Sequence, residues 1–144
     1  TALNNSGIVV LENELHRIEI ARDGLQKRIN LIGIGDDSTG HSDPGKAFSD
    51  ADLSLPSIVF MHDPGSILGF RKKYSLALAG HMHGGQVFIP GLGAIVTPGR
   101  APKSWASGWV PFPLGKLYVS RGIGTSILPV RLNSLPELTL IDLE

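Results

Sequence analysis

Cysteine is absent from the 144 residues, which removes disulfides, thiolate zinc sites, iron–sulfur clusters and a cysteine nucleophile together. Net charge is absent too. The 13 Lys+Arg are matched by 13 Asp+Glu, so no overall positive field exists to gather nucleic acid. Charged residues are 18% of the chain, short of the roughly 25% of an average domain. Hydrophobic residues reach 42%, enough for a core and too many for a disordered charged tail. No apolar run reaches the roughly 18 residues of a membrane span, and no signal-peptide pattern is present. A cytoplasmic or membrane-peripheral location is expected. The length fits a single unit over residues 1–144.

Glycine and proline are in excess, at 18 and 10 residues. Ten of the glycines and five of the prolines fall between Gly80 and Gly124. The chain therefore reads as regular structure joined to an elaborate loop. Strands are expected over Ile8–Leu11, His16–Ala21 and Ile29–Ile34, with Arg22-Asp23-Gly24 as a turn, giving an antiparallel opening. Asp43-Pro44 begins a helix-like stretch through Asp52. Further strands are expected over Ser57–Met61, Ser75–Ala79, Gln86–Ile89, Leu117–Ser120 and Leu138–Leu143, with a short helix over Pro64–Phe70. Residues 90–116 show no period and read as one long loop, which in a compact domain is often functional. The loop holds Trp105, Trp109, Arg100, Lys103 and Lys116. Two readings stand for it: aromatics packed on the sheet, or a lip over a substrate site.

Five histidines are present. His16 reads as a surface residue and His41 lies in a polar loop with no assigned role. His62, His81 and His83 share a context, since each directly follows an apolar strand. The carboxyl ends of strands are where α/β sheets collect ligands. Imidazole suits zinc, iron, manganese, nickel or copper. The glycines around His-x-His, Gly84 among them, let the backbone turn sharply and let an anion approach.

Gly80–Gln86 (GHMHGGQ), after a strand ending in His62-Asp63-Pro64, resembles the calcineurin-like metallophosphoesterases. Leu117–Ser126 (LYVSRGIGTS), Pro129-Val130-Arg131 and Pro136–Leu143 (PELTLIDL) resemble the tail of a bacterial phosphohydrolase branch. That branch includes membrane-associated phosphohydrolases and enzymes that hydrolyse a diacylglucosamine nucleotide. Gly7–Glu14 (GIVVLENE) also resembles a segment of it. The resemblance implies a mixed α/β sheet with few helices, the C-terminal half of a four-layer αββα sandwich. It implies a metal-dependent phosphoester hydrolase with a dinuclear site, in which a metal-bound hydroxide attacks phosphorus. His62 and His81 would bind one metal, and His83 the other. Arg121, after a strand, would contact phosphate or sugar or else form a surface ion pair. Gly84 would line the substrate site.

The family's first three motifs, Asp-x-His, Gly-Asp-x-x-Asp and Gly-Asn-His-Asp/Glu, do not occur here. This chain is therefore expected to be the C-terminal half, without the general acid/base motif. Two divalent ions (Mn, Fe, Zn or similar) are expected in a complete site. Three neutral imidazoles offset no charge, so this half alone should hold at most one ion weakly. Asp36, Asp37, Asp43 and Asp63 could in principle help, Asp63 at most by supporting a ligand. The expected partner is a phosphorylated small molecule or a lipid-linked substrate, with no nucleic acid. Self-association, or cover from the missing half, is expected on a bare sheet face. The alternatives are a non-catalytic metal- or partner-binding module of the same fold and, ranked last, a mononuclear three-histidine zinc hydrolase, which needs a bent backbone at His-x-His.

Overall fold

A computed structural model describes residues 2–22 and 24–143. It contains one six-stranded mixed sheet. The strands are β1 (Glu14–Arg22), β2 (Leu25–Gly33), β3 (Ser57–Phe60), β4 (Leu76–Ala79), β7 (Gly108–Phe112) and β8 (Gly115–Val119), in the order β1-β2-β3-β4-β8-β7. A separate two-stranded ladder pairs β5 (Phe88–Ile89) with β6 (Gly93–Ala94). The inner strands β2, β3, β4 and β8 run parallel, while β1 and β7 close the edges antiparallel. Helix is scarce: two single turns, α1 (Ala2–Asn5) and α2 (Pro44–Ala47), and short 3₁₀ segments at Pro64–Gly69, His83–Gly85 and Lys103–Trp105. The expected mixed sheet with few helices is what forms. Among the described residues no helix is long and apolar enough to cross a membrane.

Strand register sorts the side chains into two faces. One row joins Ile32, Val59, Ala77, Leu117 and Val110 across five strands, all buried. Phe48, Ile67, Phe70, Tyr74, Met82 and Ala101 pack onto this face and complete the core. The opposite face carries the row Gly33, Phe60, Leu78, Tyr118 and Trp109. Phe60 is 43% and Trp109 61% exposed there, so this face is open.

Several expected elements take another form. Ile8–Leu11 is irregular, and the Leu11 backbone lies against Gly33, where a Cβ would meet Leu11 O at 2.2 Å. That segment lies across the sheet rather than within it. Of the expected turn, Asp23 lies outside the described residues, and β1 pairs with β2 from Arg22 and Leu25 onward. The stretch after Asp43 keeps one helical turn. Asp43 Oδ1 caps Lys46 N at 2.9 Å, but Ser49-Asp50-Ala51-Asp52 diverts into turns. Residues 90–116 are not one loop, because they contain β6 and β7. Gly108 and Pro111 mask the alternation of β7, and Pro111 is tolerated because β7 is an edge strand. Leu138–Leu143 forms no strand; Leu138 is 94% and Leu140 96% exposed.

Tyr74 provides a stability test. Its hydroxyl is buried and has no hydrogen-bond partner, and burial pushes its pKa well above the usual tyrosine range. Tyr74→Phe is therefore expected to raise stability by about 1 kcal/mol, since an unsatisfied buried group costs more than it returns. The folded-state pKa lies above the unfolded value of about 10. Tyr74's contribution is thus complete below that pH and is lost as pH rises toward the folded value. Thermal melts from neutral to alkaline pH should show a smaller alkaline decline in the phenylalanine variant.

Candidate metal centre

Parallel pairing brings the first two histidines together. It continues past the ends of β3 and β4, with Met61 N donating to Leu78 O and Gly80 N to His62 O, each at 3.0 Å. His62 and His81 thus leave adjacent strands at the same end, and their rings lie 4.5 Å apart between centroids. His81 Nε2 is buried with no hydrogen-bond partner. A buried ring nitrogen in that state is costly unless something binds it.

His83 is held differently. Its Nδ1 lies 3.1 Å from Gly124 O. A carbonyl only accepts, so Nδ1 carries the proton and Nε2 of the neutral ring is left as the donor atom for a metal. Burial holds the imidazole below the usual histidine range, against the raising effect of the Gly124 carbonyl; the Arg131 charge adds to the lowering. A neutral ring is the form that binds metal. Among the described residues no three His, Asp or Glu side chains are arranged to hold one ion, so a single three-histidine centre is not formed.

The turn that places these rings is strained. His81 (φ 68°), His83 (φ 50°) and Gln86 (φ 49°) all sit in the left-handed region, where non-glycine residues cost about 1–3 kcal/mol each. Gly84 shares that conformation at φ 62° and is buried. A Cβ there would meet Ser134 Oγ at 2.3 Å and Arg121 Cγ at 3.1 Å. Glycine at 84 is thus required by close packing against those two side chains. Arg121 stacks its stem over Gly84 and donates Nε–H to Ser107 Oγ at 3.2 Å, with Glu137 Oε2 at 3.9 Å. Its side chain is 42% exposed beside the histidine turn.

Each of the four aspartates that could have replaced missing carboxylates has at least one oxygen committed elsewhere. Asp36 Oδ2 accepts from Ser38 Oγ and Thr39. Asp37 pairs with Arg100 through two contacts of 2.8 and 2.5 Å. Asp43 caps α2, and Asp63 Oδ1 caps the next 3₁₀ segment by accepting from Gly65 N at 2.7 Å. Asp63 Oδ2 is buried without a partner. The donor chemistry at the strand ends fits metal binding by His62 and His81, and the Gly124 contact leaves His83 Nε2 free of a proton.

An open groove of about 440 Å³ runs beside His62, over Phe60, Leu31 and Leu11 to His16. The two tryptophans divide. Trp105 packs edge-on to Phe112 against the core, whereas Trp109 stands on the open face against Tyr118. The sequence reading overlooked Gln86, whose Nε2 donates to Leu128 O at 3.2 Å and Val130 O at 3.4 Å, and whose Oε1 accepts from Ser126 N. It also gave no role to Arg131 or Ser134. The available signal was that Arg131 is the single charged residue between 123 and 136.

No family model matches the chain, and no solved structure matches it significantly. Curated relatives do. The phosphodiesterase YaeI of Escherichia coli (strain K12) is 33% identical over 142 residues, covering 98% of this chain and 49% of the relative. The uncharacterized metallophosphoesterase YkuE of Bacillus subtilis (strain 168) is 32% identical over 139 residues, 96% of this chain and 47% of the relative. The UDP-2,3-diacylglucosamine pyrophosphatase LpxG of Chlamydia muridarum is 33% identical over 126 residues, 81% of this chain and 38% of the relative. The chain thus spans about half the length, or less, of the relatives it matches. Similarity of this extent, from beginning to end of the chain, assigns it to the calcineurin-like metallophosphoesterase family, of which it carries the C-terminal half.

Proposed function

We propose that this chain supplies the histidine half of a metal-dependent phosphoester hydrolase with a dinuclear site. The observation that carries the reading is the His62–His81 pair, 4.5 Å apart at neighbouring strand ends, with His81 Nε2 buried and unpartnered. In this reading His62 and His81 hold one divalent ion and His83, through Nε2, holds the second. Bound there, Mn, Fe, Zn or a similar ion supplies Lewis-acid polarisation of the phosphoryl group and a nucleophile at neutral pH. The chain's own residues do the rest. His83 Nδ1 donates to Gly124 O and keeps the ring in the binding tautomer. Arg121, beside the turn, offers its remaining N–H groups to a phosphate or sugar oxygen. Gly84 keeps that turn tight. The names of the relatives favour a phosphodiester or a nucleotide-linked lipid as substrate.

A second reading, a non-catalytic module that binds a metal or a partner, draws on one observation: each of the four aspartates has an oxygen committed to a turn, a cap or Arg100. One experiment separates the two. Metal content and phosphodiesterase activity are measured for this chain alone and mixed with a segment bearing the three N-terminal motifs. Two ions per complex and activity only in the mixture are expected. No activity in any mixture that forms a stable complex would overturn the hydrolase reading in favour of the module.

A further inference from the structure

A single guanidinium gathers the loops behind His83. Arg131 Nη1 donates to His83 O at 3.3 Å and to Ser134 O at 3.0 Å. Its Nη2 donates to Arg121 O at 2.9 Å and Gly122 O at 3.1 Å. Its Nε donates to Gly124 O at 3.2 Å, and Nη2 reaches the same oxygen. Among the described residues no carboxylate pairs with it. Its acceptors are main-chain carbonyls alone, so it serves as a clamp and not as an ion pair. Arginine suits that task because its planar fork presents five N–H groups in fixed directions.

Two of those carbonyls govern His83. One is the residue's own oxygen, which also receives Ser134 Oγ at 2.9 Å. The other is Gly124 O, the acceptor for His83 Nδ1. Arg131 therefore grips His83 by its main chain and, through Gly124, by its ring. The backbone it grips needs the hold, because His83, Gly84, Gly85 and Gln86 have φ of 50°, 62°, 75° and 49° in succession. Removing the clamp frees Gly124 O to turn away, and the imidazole then loses the contact that selects its tautomer.

We propose that Arg131 is a positioning residue: it fixes Gly124 O against His83 Nδ1, so that the ring is locked as the Nδ1–H tautomer with Nε2 turned outward for a ligand. The role of Nε2 as a metal ligand rests on the reading above; the lock on the tautomer does not. Partners that orient a ligating histidine in this way are a general feature of metal sites.

The test uses the ¹⁵N-labelled 144-residue chain at one near-neutral pH. Long-range proton–nitrogen correlation identifies which ring nitrogen of His83 carries the proton. Nδ1–H is expected in the native chain and in Ser134→Ala, which leaves the Gly124 contact intact. Arg131→Gln should move the ring to a mixture of tautomers, and Arg131→Lys, with its charge but no fork, should fall between. Nε2–H in the native chain overturns the proposal even if no variant folds. So does an unchanged tautomer in a folded Arg131→Gln chain. A Zn²⁺ titration of the complex with the segment bearing the three N-terminal motifs, read at the second ion to bind, separates the two claims. Affinity should fall about 10- to 100-fold in Arg131→Gln. If His83→Ala leaves Zn²⁺ affinity unchanged while the tautomer still follows Arg131, the ligand reading fails and the positioning role stands.

Discussion

In a reconstituted hydrolase, His81→Ala is expected to cut phosphodiester turnover about a thousandfold, while the melting temperature of the metal-free chain stays nearly unchanged. Metal assistance supplies several kcal/mol of transition-state stabilisation, and each 1.36 kcal/mol is a factor of ten. The stability half of the prediction follows from the orphaned Nε2. That nitrogen makes no hydrogen bond, so removing it forfeits none and relieves a buried unsatisfied group. What is lost is the ring contact with His62. A histidine kept for packing would behave in the opposite way, with stability falling and activity declining only as the protein unfolds. Initial rates of the reconstituted enzyme on an aryl phosphodiester, and thermal melts of the metal-free chain, decide between them. A melting temperature lowered by about 10 °C with activity lost in proportion would remove His81 from the site.

Gly84→Ala should cause a large loss of stability for one added methyl group. Two costs combine. Left-handed backbone at a residue with a Cβ costs about 1–2 kcal/mol, and φ is 62° here. The new Cβ would stand 2.3 Å from Ser134 Oγ, and overpacking of this kind costs about 1–3 kcal/mol. Ser134 cannot swing away freely, because it is buried and its hydroxyl is spent on His83 O. The expected fall in melting temperature is on the order of 10 °C. Gly91→Ala is the control. It shares a positive φ of 84° but has nothing within 4 Å of its Cβ position. It should therefore show the backbone cost alone. Equal effects from the two substitutions would mean that Ser134 yields and that the turn is less tightly packed than its distances imply.

Much of the central sheet was legible because its strands are apolar, short and bounded by turn residues. Ser57–Phe60 and Leu76–Ala79 were found within a residue, as was the 3₁₀ segment that starts at Pro64 behind its Asp63 cap. The failures have separate physical causes. Ile8–Leu11 has the composition of a strand, yet it lies over Gly33, where the absence of a side chain makes room. Strand β7 escaped because Pro111 and Trp109 both point to the open face, leaving Val110 as the one fully buried residue of the strand. The Leu138–Leu143 segment alternates as a strand does, but alternation does not reveal whether a neighbour exists to accept its hydrogen bonds. For the candidate site, the histidines were visible because glycine and strand-end context marked them. Arg131 was not, since its partners are backbone carbonyls, and carbonyls leave no signature in sequence.

Strands β4 and β8 lie side by side although the chain between Ala79 and Gly115 makes the whole histidine turn, the β5–β6 ladder and β7 before returning. Closing so long an excursion is cheap to extend, at about 0.6 kcal/mol for each doubling of length. The sheet and the excursion are therefore free to diverge at different rates. Strand ends that carry His62 and His81 are bound to their neighbours and tolerate little change, while the outward part of the excursion, with Phe88, Leu92 and Val96 exposed, can be lengthened or rewritten at small cost. A layout of this kind lets the histidine-bearing strand ends stay fixed while the surface beyond them changes, because that surface hangs from the scaffold by its two ends.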